Sequence, residues 1–275
     1  MSRNLHKYYY KDYFGESPEE IIDLGDDQNR RKTTVPLDWT QIKSKRNTSI
    51  LQKRNAKLTG VGLLYKMDKP FDTMDTFQLE IIYPGLVTGI GINHEATIEG
   101  EFKLGVHFDW TYGMPVIYGS SVKGVLRTWF KEFYEGDRDP YDYEMEIFEG
   151  KQRDTEKEKE KYGECWESKV KSVENRIYAS KSIYDRDVFF DAVIAGPDKK
   201  GRILCSDSIT PHGDNPLKNP TPITFMKIAP GCKLEFRFKL LGSQREREFK
   251  IELFKTILTT IGIGAKTNVG YGQLK

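Results

Sequence analysis

Alternation is the first pattern the chain offers. Phe77, Leu79, Ile81 and Tyr83 take every second position, Gln78, Glu80 and Ile82 lie between them, and Pro84-Gly85 follows. A period of two with one apolar side predicts a half-buried strand that ends at that turn. Short β-like pieces continue through residues 96–118, punctuated by Gly100, Gly105, Gly113 and Pro115. The period then changes. Val122, Val125, Leu126, Trp129, Phe130 and Phe133 recur at helical spacing behind Gly119-Ser120-Ser121, whose hydroxyls suit an N-cap. Lys123, Arg127 and Lys131 stand four residues apart on the other side. The predicted helix therefore packs one face and presents a positive one.

Residues 136–176 are highly charged, with lysine and glutamate alternating from Lys157 to Lys161, and read as a surface insertion, helical in part or disordered. Val188 to Ile194 is a short apolar run that predicts a buried strand. Thr224–Ile228 and Lys233–Leu241 flank Pro230-Gly231, and the second alternates Leu234, Phe236, Phe238 and Leu240 with Glu235, Arg237 and Lys239. That is the best hairpin signal in the sequence. Phe249, Ile251, Leu253, Phe254, Ile257, Leu258 and Ile261 predict a second amphipathic helix, and a glycine-rich stretch leads into a terminal strand. In order the elements read strand, helix, strand, hairpin strand, helix, strand. The predicted fold class is α+β, a ferredoxin-like βαββαβ domain of the kind RNA-recognition modules use, over residues 71–275, with large insertions and a basic N-terminal extension over 1–70.

Composition narrows the function classes. Among 275 residues, 37% are hydrophobic, enough to bury a real core, and no apolar run is long enough to span a membrane. The three cysteines, Cys165, Cys205 and Cys232, are too far apart for a disulfide framework or a metal knuckle. A soluble cytoplasmic protein is expected. Net charge is only +2, so any nucleic-acid surface must come from local clustering. Residues 28–60 supply one: nine basic residues, including Arg30, Arg31, Lys32, Lys43, Lys45 and Arg46, face a single acid, Asp38. That imbalance suits a polyanion as well as it suits a solvated segment.

Two local motifs point toward phosphate. The first is Gly262-Ile263-Gly264-Ala265-Lys266-Thr267-Asn268-Val269-Gly270-Tyr271-Gly272. Gly262, Gly264, Gly270 and Gly272 would let backbone amides approach phosphate oxygens, and Lys266, Thr267 and Asn268 add charge and hydrogen bonds. A nucleotide-binding P-loop is excluded, because Ala265 and Thr260 stand where that motif needs glycine and the loop follows a helix instead of opening one. The second motif is the helix start at Gly119, Ser120 and Ser121, with Lys123 and Arg127 one turn apart and Gly124 inviting close approach of another backbone. Catalytic signals are weaker. His94 beside Glu95 reads as structural, His107 and His212 have no partner at ligand spacing, and His6 lies in the N-terminal tail. Asp187, Asp191 and Asp207 are the carboxylates a Mg²⁺ would need for phosphodiester cleavage, yet strand-end aspartates read as turn residues. No catalytic residue, metal or cofactor is assigned.

Gly89-Ile90-Gly91-Ile92-Asn93-His94-Glu95, Tyr118 to Arg127 and Gly262 to Gly272 together resemble the RAMP proteins, the repeat-associated subunits of type III CRISPR systems. Within that family the combination points to the type III-B (Cmr) assembly. The resemblance covers residues from about 71 to 275. It implies a non-catalytic RNA-binding subunit that holds a guide (CRISPR) RNA toward its 3′ end and helps capture target RNA. Its neighbours would be other RAMP subunits of the Cmr complex, and no membrane is involved. Target cutting in such complexes belongs to another subunit, through a loop aspartate that no residue here matches. Two rivals remain: a RAMP endoribonuclease that processes guide RNA, with His94 as its candidate, and a pure assembly module.

Overall fold

A computed structural model of the chain describes residues 4–14, 45–63, 72–89, 100–102, 105–136, 174–175, 177–178, 182, 186–210 and 223–275. In chain order the principal elements are α1 (Leu5–Lys7), prolonged by a π-helical turn (Tyr8–Asp12), α2 (Lys45–Thr59), β1 (Asp75–Glu80), β2 (Val116–Ile117), α3 (Gly119–Gly136), β3 (Val188–Phe189), β4 (Ala192–Gly196), β5 (Leu204–Ile209), β6 (Ile223–Ile228), β7 (Lys233–Lys239) and α4 (Gln244–Ile261), then a 3₁₀ turn (Thr267–Val269). This is a mixed helix and strand fold with antiparallel sheets.

The main sheet runs β1-β7-β4-β2, with β3 also pairing β7. Its register follows the alternation read from sequence. Phe77 lies opposite Phe236 and Leu79 opposite Leu234, which puts Phe77, Leu79, Leu234, Phe236 and Phe238 on one buried face. Helices α3 and α4 pack against each other and close that face: Phe254 of α4 lies 5.1 Å from Phe238, and Phe77 stacks on Phe236 at 5.2 Å. Helix α4 begins at a capping box, in which Ser243 and Glu246 bond each other's backbone amides. It ends at Gly262, whose φ of 78° no ordinary residue adopts readily. The last residues return to the sheet, since Glu80 and Lys275 exchange amide bonds at 2.8 and 3.0 Å and Leu274 bridges Ile81.

The hairpin expected around Pro230-Gly231 does not form. Strand β6 pairs β5 in a separate two-stranded sheet, while β7 pairs β1 and β4. The turn at Pro230-Gly231 hands the chain from one sheet to the other, and Gly231 donates to the Ile81 carbonyl at 2.7 Å. The reason is burial. Strand β7 has apolar residues to cover on the helix side and partners available on both edges, so it takes the sheet centre, and β6 is satisfied by the polar strand β5. The run Val188–Ile194 is a strand in two pieces, β3 and β4, both beside β7. At the break Asp191 Oδ1 accepts the Gly119 amide at 2.7 Å.

Of the stretch read as a basic extension, residues 4–14 and 45–63 are described. Leu5, Tyr9, Tyr13, Leu51 and Leu58 are fully buried in the main core. Leu5, Tyr9 and Tyr13 recur every four residues, and the Tyr9 hydroxyl donates to the Phe102 carbonyl at 3.1 Å. Arg54 of α2 is buried, and its guanidinium donates to the Tyr13 carbonyl. Another buried charge locks the start of α4. Lys250 Nζ reaches Asp187 Oδ2 at 2.7 Å and the Leu241 carbonyl at 3.0 Å, while Asp187 Oδ1 accepts the Leu241 amide at 2.7 Å. Burial pushes the Asp187 carboxyl up, and Lys250 opposes it.

Tyr9→Ala removes a fully buried ring from this core and should lower unfolding free energy by roughly 3–5 kcal/mol, as large-to-small core changes do. The exposed Lys11→Ala should stay within about 0.5 kcal/mol. Urea unfolding of both variants checks this, and equal stability would place the N-terminal segment outside the cooperative core.

Candidate nucleic-acid interface

The glycine loop is built against the chain itself. Ala265 donates to the Val87 carbonyl at 2.7 Å, Gly272 to the Gly85 carbonyl at 2.8 Å, and Ile263 to the Gly272 carbonyl at 2.9 Å. A Cβ at Gly272 would lie 1.9 Å from the Ile263 oxygen, one at Gly264 2.4 Å from the Val87 oxygen, and one at Gly262 2.6 Å from the Gly272 oxygen. Those three glycines therefore serve backbone packing within the loop, where the sequence reading had them opening it to phosphate. The crest is different. Lys266 sits in the left-handed region at φ 62°, Asn268 is exposed and Val269 is 63% exposed. Among the described residues nothing accepts from the amides of Thr267 and Asn268. Gly270, at φ 93° with only Pro84 nearby, reverses the chain behind them.

A charged cluster missed by sequence reasoning braces the loop. Lys227 of β6 is buried, yet its ammonium meets Asp207 Oδ2 of β5, and the same oxygen accepts the Tyr271 hydroxyl at 2.8 Å. Lys227 also lies over the Tyr271 ring, 5.3 Å from its centre. Burial raises the Asp207 carboxyl, but bonds from Lys227 and Tyr271 outweigh it and the carboxyl ends below its usual range. Burial and the bond to Asp207 push the Tyr271 phenol up to about 12. The small sheet is thus pinned to the loop by one carboxylate. Only pattern across distant elements could have revealed it, since Asp207, Lys227 and Tyr271 share no local motif.

The second element is the start of α3. Ser120 and Ser121 are exposed, but the Gly119 amide is taken by Asp191, and a Cβ at Gly119 would lie 2.2 Å from the Phe189 oxygen. The chain's own carboxylate therefore occupies part of the expected anion site. Lys123 lies 5.9 Å from the centre of the Phe189 ring. Burial lowers its pKa, and the neighbouring charges of Arg186 and Arg127 lower it further. Arg186, which carries no sequence signal, thus joins Lys123 and Arg127 in one cationic patch. Arg127 is not open: its Nε meets Glu174 at 2.9 Å. Gly124 has nothing within 4 Å of a would-be Cβ.

The two elements do not share a pocket. Helix α3 follows β2 at one edge of the sheet, whereas the glycine loop precedes the segment that pairs beyond β1 at the other. Four strand spacings separate those edges, roughly 19 Å. Register places the loop near the Glu80/Lys233 end of the sheet and the start of α3 toward the Asp75/Phe238 end. Of the basic extension, Lys45 and Arg46 open α2, while Arg30, Arg31, Lys32 and Lys43 lie outside the described residues, as do His94, Glu95 and His212. His107 stacks on Tyr118 at 4.9 Å. Asp187, Asp191 and Asp207 serve three separate structural bonds, and no group of metal-ligating side chains occurs among the described residues.

A family model for the RAMP superfamily matches residues 78–275, which span both elements. The chain belongs to the RAMP superfamily. This RAMP protein is similar to the CRISPR system Cmr subunit Cmr6 of Pyrococcus furiosus, at 28% identity over 226 residues. The match covers 69% of the chain and 64% of that relative, so the chain spans just under two thirds of its relative's length. Among solved structures it is similar to a chain of the type III-B Cmr-beta complex bound to cognate target RNA, with TM-score 0.49, 17% identity, and 86% and 77% of the two chains covered. It is also similar to the Cmr6 crystal structure from Pyrococcus furiosus, with TM-score 0.40, 22% identity, and 74% and 98% covered. No helix among the described residues is long and apolar enough to cross a membrane.

Two glycines with opposite surroundings test the loop reading. Gly272→Ala should destabilise by roughly 2–5 kcal/mol, from positive-φ strain and a backbone clash. Gly124→Ala should instead stabilise by about 1 kcal/mol, because alanine is the better helix former and has room. Thermal unfolding of both variants decides; a harmless Gly272→Ala would mean the loop is not packed on its own carbonyls.

Proposed function

We propose that this RAMP protein is a non-catalytic RNA-binding subunit of a type III-B CRISPR effector complex. It holds the guide RNA toward its 3′ end and helps capture target RNA beside other RAMP subunits. The observation that carries this reading is the RAMP match over residues 78–275 together with the 28% identity to Cmr6. We also propose that the fold is ferredoxin-like. Counting the terminal segment beside β1, the sheet order is terminal segment, β1, β7, β4, with α3 and α4 as the two crossover helices. That is the spatial order 4-1-3-2 of a βαββαβ unit.

The chemistry suits sequence-independent holding. Lys266 at the loop crest and Lys123, Arg127 and Arg186 at α3 are cations set apart on a rigid frame, and phosphate contacts of this kind position a strand without reading its bases. Pairing between guide and target then supplies specificity, as it does in other guided systems. The competing use of Arg127 by Glu174 means that RNA has to displace an exposed ion pair, which is worth little in water. The three aspartates that a cleavage metal would need are committed to separate bonds within the fold, which favours the non-catalytic reading.

Retention and cleavage of labelled single-stranded RNA, followed together in Mg²⁺ at several salt concentrations, test the proposal. The protein should retain RNA without cutting it. The Lys123/Arg127/Lys266 triple alanine variant should bind roughly 100-fold more weakly near 0.1 M salt, with a log–log salt slope shallower by about 2, from three lost contacts at about 0.7 each. Cleavage that disappears in His94→Ala would make the protein a ribonuclease instead. Salt-sensitive binding unchanged in the triple variant would make these cations bystanders.

A further inference from the structure

The N-terminal helical segment carries three stripes at a spacing of four. Leu5, Tyr9 and Tyr13 are buried; His6 and Tyr10, beside them, are half-buried; Lys7 and Lys11 are exposed. Against the middle stripe stands Trp110, 70% exposed. Its ring centre is 4.1 Å from that of His6, and His6 is 4.7 Å from Tyr10. Three rings thus run in contact from an exposed indole toward the body of the protein.

The turn that carries Trp110 is fixed from two sides. Asn4 caps the N-terminal helix by accepting the Lys7 amide at 2.8 Å, and its amide group donates to the carbonyls of Trp110 and Thr111 at 3.3 and 3.4 Å. Asp109 Oδ1 accepts the amides of Thr111 and Tyr112 at 2.8 and 2.6 Å. Gly113, at φ 66°, leaves out the Cβ that would lie 2.2 Å from Asn4 Oδ1. A large ring held this firmly while open to solvent is pre-organised for a flat partner, since little ordering remains to be done on contact.

We propose that Trp110, backed by His6 and Tyr10, is a stacking platform for an unpaired base of RNA, and that Lys7 and Lys11 neutralise the phosphates on either side of that base. The inference rests on the RNA-binding reading above and adds a third contact to it, distinct from the glycine loop and the start of α3. Charge favours RNA over a protein partner. The residues flanking Trp110 on its turn and on the facing helical segment are mostly polar and partly cationic, Lys7, Lys11, Asp109 and Thr111, and Tyr112, 43% exposed beside them, is a ring that carries a hydroxyl, whereas a protein-docking patch would widen the purely apolar area around its anchor. Among the described residues the Lys7 ammonium meets Asp12 at 3.9 Å in an exposed contact, which leaves it able to turn toward a phosphate.

The test uses the full chain and single-stranded RNA 12-mers with one 2-aminopurine at successive positions, read by fluorescence quenching and by affinity. Quenching should appear at some position and vanish in Trp110→Ala. The affinity of that variant should fall roughly 5- to 150-fold, the range for removing one base–aromatic stack. Trp110→Phe should restore most of both, and the salt slope should not change, since no ionic contact is lost. Unaltered melting of Trp110→Ala confirms an intact fold. If Trp110→Ala binds and quenches as the original chain does while the Lys123/Arg127/Lys266 variant loses affinity, the platform is wrong and the RNA-binding reading stands. If the original chain binds no RNA, both fall. If Trp110→Ala keeps its RNA affinity but no longer associates with neighbouring subunits, the ring is a protein anchor and the platform is overturned.

Discussion

The sheet edge and the glycine loop of this protein depend on how its last fourteen residues are tied to the turn after β1. Amides of Ala265 and Gly272 donate to the carbonyls of Val87 and Gly85, and the Ile263 amide closes the loop on Gly272. These bonds require backbones so close that three glycines have no space for a side chain. They also fix where the chain ends, because Gln273 to Lys275 can lie beside Glu80–Ile82 only if the loop before them is this tight. The same constraint turns the crest outward, so that Lys266 and Asn268 are presented by a frame that cannot collapse onto them. Asp207 then secures the frame from below, holding Tyr271 of the loop and Lys227 of the small sheet at one oxygen. A loop with an exposed crest is thereby made part of the core.

Where one side of an element faces the core, its pattern was legible in the sequence. In β1 and β7 the alternating apolar residues Phe77, Leu79, Leu234, Phe236 and Phe238 are the buried ones, although Arg237 is buried between them. The helical spacing marks the buried Val122, Leu126, Trp129 and Phe130 of α3 and Phe249, Leu253, Phe254, Ile257 and Leu258 of α4, while Ile261 is exposed. The failures have a common cause: partner choice between strands is not local. The turn at Pro230-Gly231 looks like a hairpin turn, and nothing nearby says that β7 must serve the centre of another sheet. Strand β5, Leu-Cys-Ser-Asp-Ser-Ile, has too little apolar alternation to announce itself, and it exists because β6 needs its edge covered. The N-terminal helix escaped because its buried stripe is tyrosine, which reads as polar until Tyr9 and Tyr13 are seen to bury their rings.

The candidate site was legible in composition and opaque in role. Glycine abundance near Lys266 marked the loop correctly as unusual, but close backbone packing and close phosphate approach demand the same residue, and sequence cannot separate them. At α3, the serines and lysine are where the motif suggested, yet Asp191 answers the first amide and Glu174 answers Arg127, each from far along the chain. Arg186 enters the patch for the converse reason, since the segment leading into β3 places it there. The topology also separates two elements that seemed a pair, setting them at opposite edges of the sheet. An RNA that touches both has to cross the molecule, which fits a protein that supports an extended strand better than one that grips a single nucleotide.

The central claim is that the crest of the glycine loop and the start of α3 face RNA. The most direct measurement is photocrosslinking of the chain to RNA carrying 4-thiouridine at each position in turn, with the attached peptides mapped by mass spectrometry. The account predicts crosslinks within residues 119–127 and 264–270 from the same RNA, at thiouridines several nucleotides apart. Crosslinks confined to other segments, with both of these silent under conditions where the RNA is bound, would contradict it.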